Sequence, residues 1–280
     1  MVARERRSSH GVEAWSERLV GMPRGVLEPR TGSLAARLGE RWRDRRPLVA
    51  GATVVFVGYL VMTALLIGLG LLLTKVFVGG GVGAWDDGLN RWFVEQRTAT
   101  LNPVANVGSE IGATFTIIGV AALACLILAI GRHWREIGFL VASLSIEAAV
   151  SLTTSTLVVR VRPDDPRLDA PQPTGSFPSG HTAATIVLYA CLALVITSLV
   201  RNTLVRIVAW SFAILMPIYV GMSRLYQAMH HPTDLVGSAL IAAGSLLFGL
   251  FACRTAVAVG REQDEPTIGE PIRVEEQAAP

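Results

Sequence analysis

Long apolar runs separated by short polar connections dominate the chain from Leu48 to Cys253. Six of them approach the ~20 residues that a helix needs to cross the hydrocarbon of a bilayer. They cover about Leu48–Val76, Val107–Ile130, Ile137–Val159, the stretch from His181 to near Val200, Ile207–Met222 and Leu235–Cys253. Backbone groups in hydrocarbon must be satisfied within the segment, so each run predicts a helix. The pattern predicts an all-α, polytopic membrane protein built as a six-transmembrane-helix bundle. The polar stretches outside it predict a basic, mobile tail over 1–47, a spanning domain over 48–254 and an acidic, disordered tail over 255–280.

Composition supports this division. The chain is 51% hydrophobic and 17% charged, too apolar and too sparsely charged for a soluble domain of its length. The first apolar run begins far from Met1 and is long enough to span, so it reads as a retained anchor rather than a cleaved signal. Cys125, Cys191 and Cys253 all fall within apolar runs and outside any Cys-x-x-Cys or Cys/His pattern. They read as small buried side chains, not as a disulfide framework or a zinc site.

The net charge of +3 is too small to point to nucleic acid, but its distribution orients the bundle. Residues 1–47 hold eleven Arg against six Asp and Glu, and the connections around Arg132 and Arg135 and around Arg201 and Arg206 are also basic. Basic connections stay on the cytoplasmic side. Six crossings then leave both termini cytoplasmic and turn the connections 77–106, 160–180 and 223–234 outward, or toward the periplasm. In the first of these, Trp85, Trp92 and Phe93 predict a short helix lying at the interface.

The other two outward connections hold most of the groups capable of chemistry. One carries Arg160, Arg162 and then Pro178-Ser179-Gly180-His181; the other carries Ser223-Arg224 and His230-His231-Pro232-Thr233-Asp234. Arg162 and Arg224 offer planar, permanently charged forks suited to phosphate oxygens. Ser179, Gly180 and His181 open a helix, where free N–H groups and the helix dipole favour an anion. His230 and Asp234 are spaced so that the carboxylate can hold one imidazole nitrogen and leave the other free to attack. His181 is a second imidazole suited to protonating a leaving oxygen. Taken singly, a Pro-Ser-Gly turn or an interfacial Arg is more often structural; the gathering of both imidazoles, the guanidiniums and Asp234 on one face is what points to catalysis.

On these residues the chain resembles the type 2 phosphatidic acid phosphatase superfamily of membrane lipid phosphatases. Of that family's signatures, Pro-Ser-Gly-His stands as Pro178–His181, and Ser-Arg-x5-His-x3-Asp as Ser223, Arg224, His230 and Asp234. Lys-x6-Arg-Pro is partial: Arg162-Pro163 are present, and Ser155 occupies the Lys position. The resemblance covers about residues 48–253. It implies that His230 attacks phosphorus to give a phosphohistidine, that Asp234 orients it, and that His181 protonates the departing group and then activates water. It also implies that Arg162, Arg224, Ser179 and Gly180 hold the phosphoryl oxygens, without a metal or cofactor. Arg160, two residues before Arg162, is expected to supply the charge missing at Ser155. The implied substrate is a lipid phosphate in the bilayer, such as a polyprenyl diphosphate, phosphatidic acid or phosphatidylglycerophosphate. Phosphotransfer through the same histidine, and lipid-phosphate binding or transport without turnover, are the competing readings. Glu147, inside the third run, is expected to hydrogen-bond between helices. Asp164, Asp165 and Asp169 are expected to be solvated loop carboxylates.

Overall fold

The computed structural model describes residues 25–170 and 173–264, and every regular element among them is helical. In chain order these are α1 (Leu34–Arg41), α2 (Pro47–Leu72, prolonged by a π turn over Leu73–Phe77), α3 (Gly81–Glu95) and α4 (Leu101–Ile111). They continue with α5 (Thr114–Ile130), α6 (Trp134–Leu157), α7 (Gly180–Leu199), α8 (Thr203–Tyr226) and α9 (Pro232–Asp264). The chain is a multi-pass membrane protein: α2, α6, α7, α8 and α9 are long and apolar enough to cross a bilayer, and α4 with α5 supplies a sixth, broken crossing.

Sequence chemistry sets several of the boundaries. Pro47 and Pro232 sit in the first turns of α2 and α9, where the missing N–H costs no intrahelical bond. Asn202 caps α8 by accepting from the N–H groups of Leu204 and Val205. The expected continuous span over 107–130 is instead two helices bent by 51° at Gly112-Ala113. The overall apolarity of the run does not reveal this bend, because apolarity says nothing of helix direction.

Helix α9 is the axis of the bundle, packing on α2, α6 and α7, while α8 packs on α7 and α4. The outer faces are apolar, with Phe56, Leu65, Phe115, Ile127, Ile214 and Leu247 all exposed, as a lipid-facing surface requires.

The predicted tails need correction where the structure describes them. Residues 25–46, expected to be mobile, include α1, whose Gly39 lies against Ala258. Arg254 donates to the Val26 carbonyl, and Gln263 to the carbonyls of Arg43 and Arg45. The last spanning helix does not stop near 254 but runs to Asp264, because its final turns bury Thr255, Ala258 and Val259. The remainder of both predicted tails, 1–24 and 265–280, lies outside the described residues. Glu28 also approaches Arg135 at 3.9 Å and Arg261 at 3.1 Å. The N-terminal segment, the 131–135 connection and the end of α9 therefore share one end of the bundle.

Candidate active site

At the opposite end, the C-termini of α6 and α8 meet the N-termini of α7 and α9, and two irregular segments fill the space between them. Segment 158–179 doubles back on the end of α6: the Gly175 N–H donates to the Ser155 carbonyl and the Ser176 N–H to the Arg160 carbonyl, both at 2.9 Å. Phe177 then lodges between α2 and α9. Its ring fits because both neighbours are glycines; a Cβ added at Gly70 or Gly237 would come within 2.9 or 2.5 Å of it. This wedge, 1% exposed, fixes where Pro178-Ser179-Gly180-His181 begins α7.

The second segment leaves α8 through a Schellman turn. The Met229 N–H donates to the Arg224 carbonyl at 3.0 Å and the Ala228 N–H to the Leu225 carbonyl at 2.9 Å. Ala228 takes the left-handed position, φ 55°, usually held by glycine. The turn delivers His230 directly to the start of α9. There the Asp234 carboxylate reaches back to the His231 N–H at 2.8 Å, the acidic half of a capping box.

His230 is 4% exposed. Its Nδ1 lies 2.8 Å from the Ser176 carbonyl oxygen, which can only accept, so Nδ1 carries the hydrogen and Nε2 keeps its lone pair. The sequence expectation gave that orienting bond to Asp234. The structure gives it to Ser176, because Asp234 Oδ2 is engaged by the His231 N–H and stands 3.6 Å from His230 Nδ1, a charge contact rather than a hydrogen bond. Burial holds the His230 imidazolium below its ordinary range; the Asp234 carboxylate works against that shift, and Arg224 and Arg162 add to it.

Arg162 and Arg224 both reach this end of the bundle. Arg162 Nη1 donates to the Met229 carbonyl at 2.7 Å. Arg224 Nη1 donates to Ser109 of α4, to Asp169 and to Gln227. The Nε of each is buried without a partner among the described residues. Burial, and then the charge of Arg224, pull the Arg162 guanidinium below its ordinary range. Ser179 caps α7 by position only: its hydroxyl bonds Thr182, not a backbone N–H, leaving the first-turn donors near Gly180 for another acceptor. His181, in that first turn, lies within electrostatic reach of Arg224, His230, Asp169 and Arg162. The predicted residues His181, His230, Asp234, Arg162, Arg224, Ser179 and Gly180 thus converge.

Arg160 does not join them as a free cation. It is 5% exposed and spends Nη1 on Asp234 and Thr233 and Nη2 on Asp86, the last at 2.6 Å. Its charge is offset by two carboxylates, so it braces Asp234 where the sequence suggested a phosphate ligand. Asp169 is exposed in its loop as expected, but it also pairs with Arg224 at 2.7 Å. Burial works upward on its carboxyl, but the hydrogen bond and charge of Arg224 outweigh that and hold it below the usual carboxylate range. Glu147 is 3% exposed and has no side-chain hydrogen bond among the described residues, so the expected bond between helices is not made.

Sequence reasoning passed over two braces. Asp86, fully buried on α3, accepts from Arg160 and from both the N–H and hydroxyl of Thr233. Trp85 and Trp92 on the same helix are exposed, so α3 turns its polar face inward and its aromatics outward, as suits a helix at an interface. A signal was present, since aromatics at positions 85 and 92 leave 86 and 90 on another face. Arg97 donates to the Tyr226 and Pro166 carbonyls and ties the 160s loop to the end of α8; nothing in its sequence context marks it. Among the described residues no cluster of three or more His, Cys, Asp or Glu side chains is arranged to hold a metal.

Comparison with known proteins agrees with this architecture. Residues 138–256 match the family model of the PAP2 superfamily. Among solved structures, the first transmembrane PAP2 type phosphatidylglycerolphosphate phosphatase from Bacillus subtilis shares the fold, with a TM-score of 0.51 and 19% identity over 80% of this chain and 99% of that one. Aquifex aeolicus LpxE aligns at TM-score 0.45 and 19% identity over 59% of this chain and 92% of that one. No curated protein matches the chain.

Proposed function

We propose that this protein, whose residues 138–256 match the PAP2 superfamily model, is a lipid phosphate phosphatase that works through a phosphohistidine on His230. The observation that carries the reading is that both imidazoles share one end of the bundle with two guanidiniums whose buried Nε groups have no partner among the described residues. A phosphate dianion supplies those acceptors.

The chemistry follows from the hydrogen positions. His230 directs the Nε2 lone pair at phosphorus while Nδ1–H stays on the Ser176 carbonyl. As the N–P bond forms, the P–O bond to the lipid breaks, and His181, entering the step as the imidazolium, hands its proton to the departing oxygen and is left neutral. The Asp234 carboxylate, 3.6 Å from Nδ1, stabilises the positive charge that develops on His230. Arg162, Arg224 and the first-turn N–H groups at Ser179-Gly180 hold the non-bridging oxygens as negative charge redistributes. Water, relieved of a proton by His181, then displaces the phosphoryl group and restores both imidazoles. The scheme uses no metal: its charges are met by Arg162, Arg224, Asp234 and the first-turn N–H groups.

A lipid substrate fits because the site opens at the end of a membrane bundle. A polyprenyl diphosphate, phosphatidic acid and phosphatidylglycerophosphate all present a phosphate at that depth. The basic segments at the other end support a topology with the termini in the cytoplasm and the site on the outer face.

The test is phosphate release by the purified protein from these three lipids, with His230→Ala beside the wild type. Release from at least one lipid, lowered at least about a thousandfold in the variant because the nucleophile is gone, is the expected result. A phosphorylated acceptor in place of free phosphate would reassign the reaction to phosphotransfer. Equal turnover by both proteins would end the proposal.

A further inference from the structure

Beside the catalytic site lies a cavity of about 270 Å³ with Ser155, Thr156, Arg160, Arg162, Arg167 and Thr174 in its lining. It is just below the ~300 Å³ at which pockets begin to hold whole small molecules, so it suits a headgroup fragment and not a lipid tail. Its charges are unequally satisfied. Arg160 is offset by Asp86 and Asp234. Neither Arg162 nor Arg167 has a carboxylate within ion-pair distance among the described residues; Arg167 makes a single bond, to the Pro163 carbonyl at 3.1 Å. Arg162 is 9% exposed, its Nε is buried without a partner, and the charge of Arg167 repels it. Two guanidiniums that share one hollow without a carboxylate partner, beside the hydroxyls of Ser155, Thr156 and Thr174, make a receptor for an anion, and their planar forks suit phosphate oxygens.

We infer that this cavity is a second phosphate subsite, which selects lipid headgroups carrying another phosphate besides the one removed. The inference rests on the phosphatase reading and narrows its substrate class. Arg162 belongs to both places: Nη1 bonds the Met229 carbonyl next to His230, while its side chain lines the cavity. The second phosphate is therefore close to the first, either joined to it as a diphosphate or separated by a short polar spacer.

Two substrate pairs separate these sources. Farnesyl diphosphate against farnesyl monophosphate reports a contiguous diphosphate; phosphatidylglycerophosphate against phosphatidic acid reports a spaced one. The full chain in detergent should prefer the two-phosphate member of one pair by about tenfold or more in kcat/KM, the scale of one charge-assisted hydrogen bond. Arg167 is exposed, so Arg167→Ala leaves the packing intact; it should cut that preference about tenfold, and Arg167→Lys should restore part of it. No preference in either pair, or a preference indifferent to Arg167→Ala, overturns the inference and leaves the phosphatase reading standing. If none of the four lipids is hydrolysed, the phosphatase reading fails. Calorimetric binding of pyrophosphate and orthophosphate then judges the subsite alone. Tighter pyrophosphate binding that Arg167→Ala abolishes supports it, and equal binding of the two anions, or indifference to the variant, sinks it.

Discussion

His230, the proposed nucleophile, shows how little of a side chain's environment comes from its nearest charged neighbour in sequence. Spacing pairs it with Asp234, yet the bond that sets its tautomer comes from the Ser176 carbonyl, 54 residues upstream. A carbonyl orients the ring without adding a full negative charge, and burial then favours the neutral imidazole that the proposed attack needs. The sign of the pH effect follows. Burial lowers the pKa and Asp234 raises it, so Asp234→Asn should move the His230 titration further toward acid. Histidine NMR titration of the detergent-solubilised variant measures this directly, and a shift toward alkali would show that Asp234 does not act on His230 through its charge.

Among the elements, α3 holds more of the site than its composition suggests. Asp86 meets Thr233 at the start of α9 and Arg160 on the segment after α6, so a helix outside the family-matched region braces Asp234 from behind its arginine. Removing one partner from a buried ion network costs about 3–5 kcal/mol, because the remaining charges lose their compensation. Asp86→Ala should therefore lower thermal stability and reduce kcat more than it raises KM, with Asp86→Glu recovering part of the rate. A variant with wild-type kcat and melting temperature would remove α3 from the account. The bend between α4 and α5 belongs to the same scale: it brings Ser109 to Arg224 and seats Gly112 against His181.

For the molecule as a whole, the ordered N-terminal segment clasps the cytoplasmic end proposed for the bundle. Arg254, Arg261 and Gln263 reach back to residues 26–45, and the proposed catalytic groups lie at the far end. In a chain whose native cysteines are replaced by alanine, a cysteine introduced at Asp165 should react with an impermeant maleimide in intact cells. One introduced at Arg132 should react only after permeabilisation. The reverse pattern would invert the proposed topology.

Apolar run length and side-chain chemistry are local properties, and they were enough to read a helical membrane bundle, its crossings and the residues of two signatures from the chain alone. Tertiary structure decided which of those groups face one another. It bent the second crossing, extended α9 through the predicted tail and ordered residues 25–46 against it. It assigned the orienting bond on His230 to a main-chain carbonyl and turned Arg160 from a free cation into a brace. Partners such as Asp86, Ser176 and Asp169 approach from 54 to 74 residues away in sequence. A hydrogen bond depends on distance and direction in the folded chain, which residue type and spacing do not specify until the helices have packed.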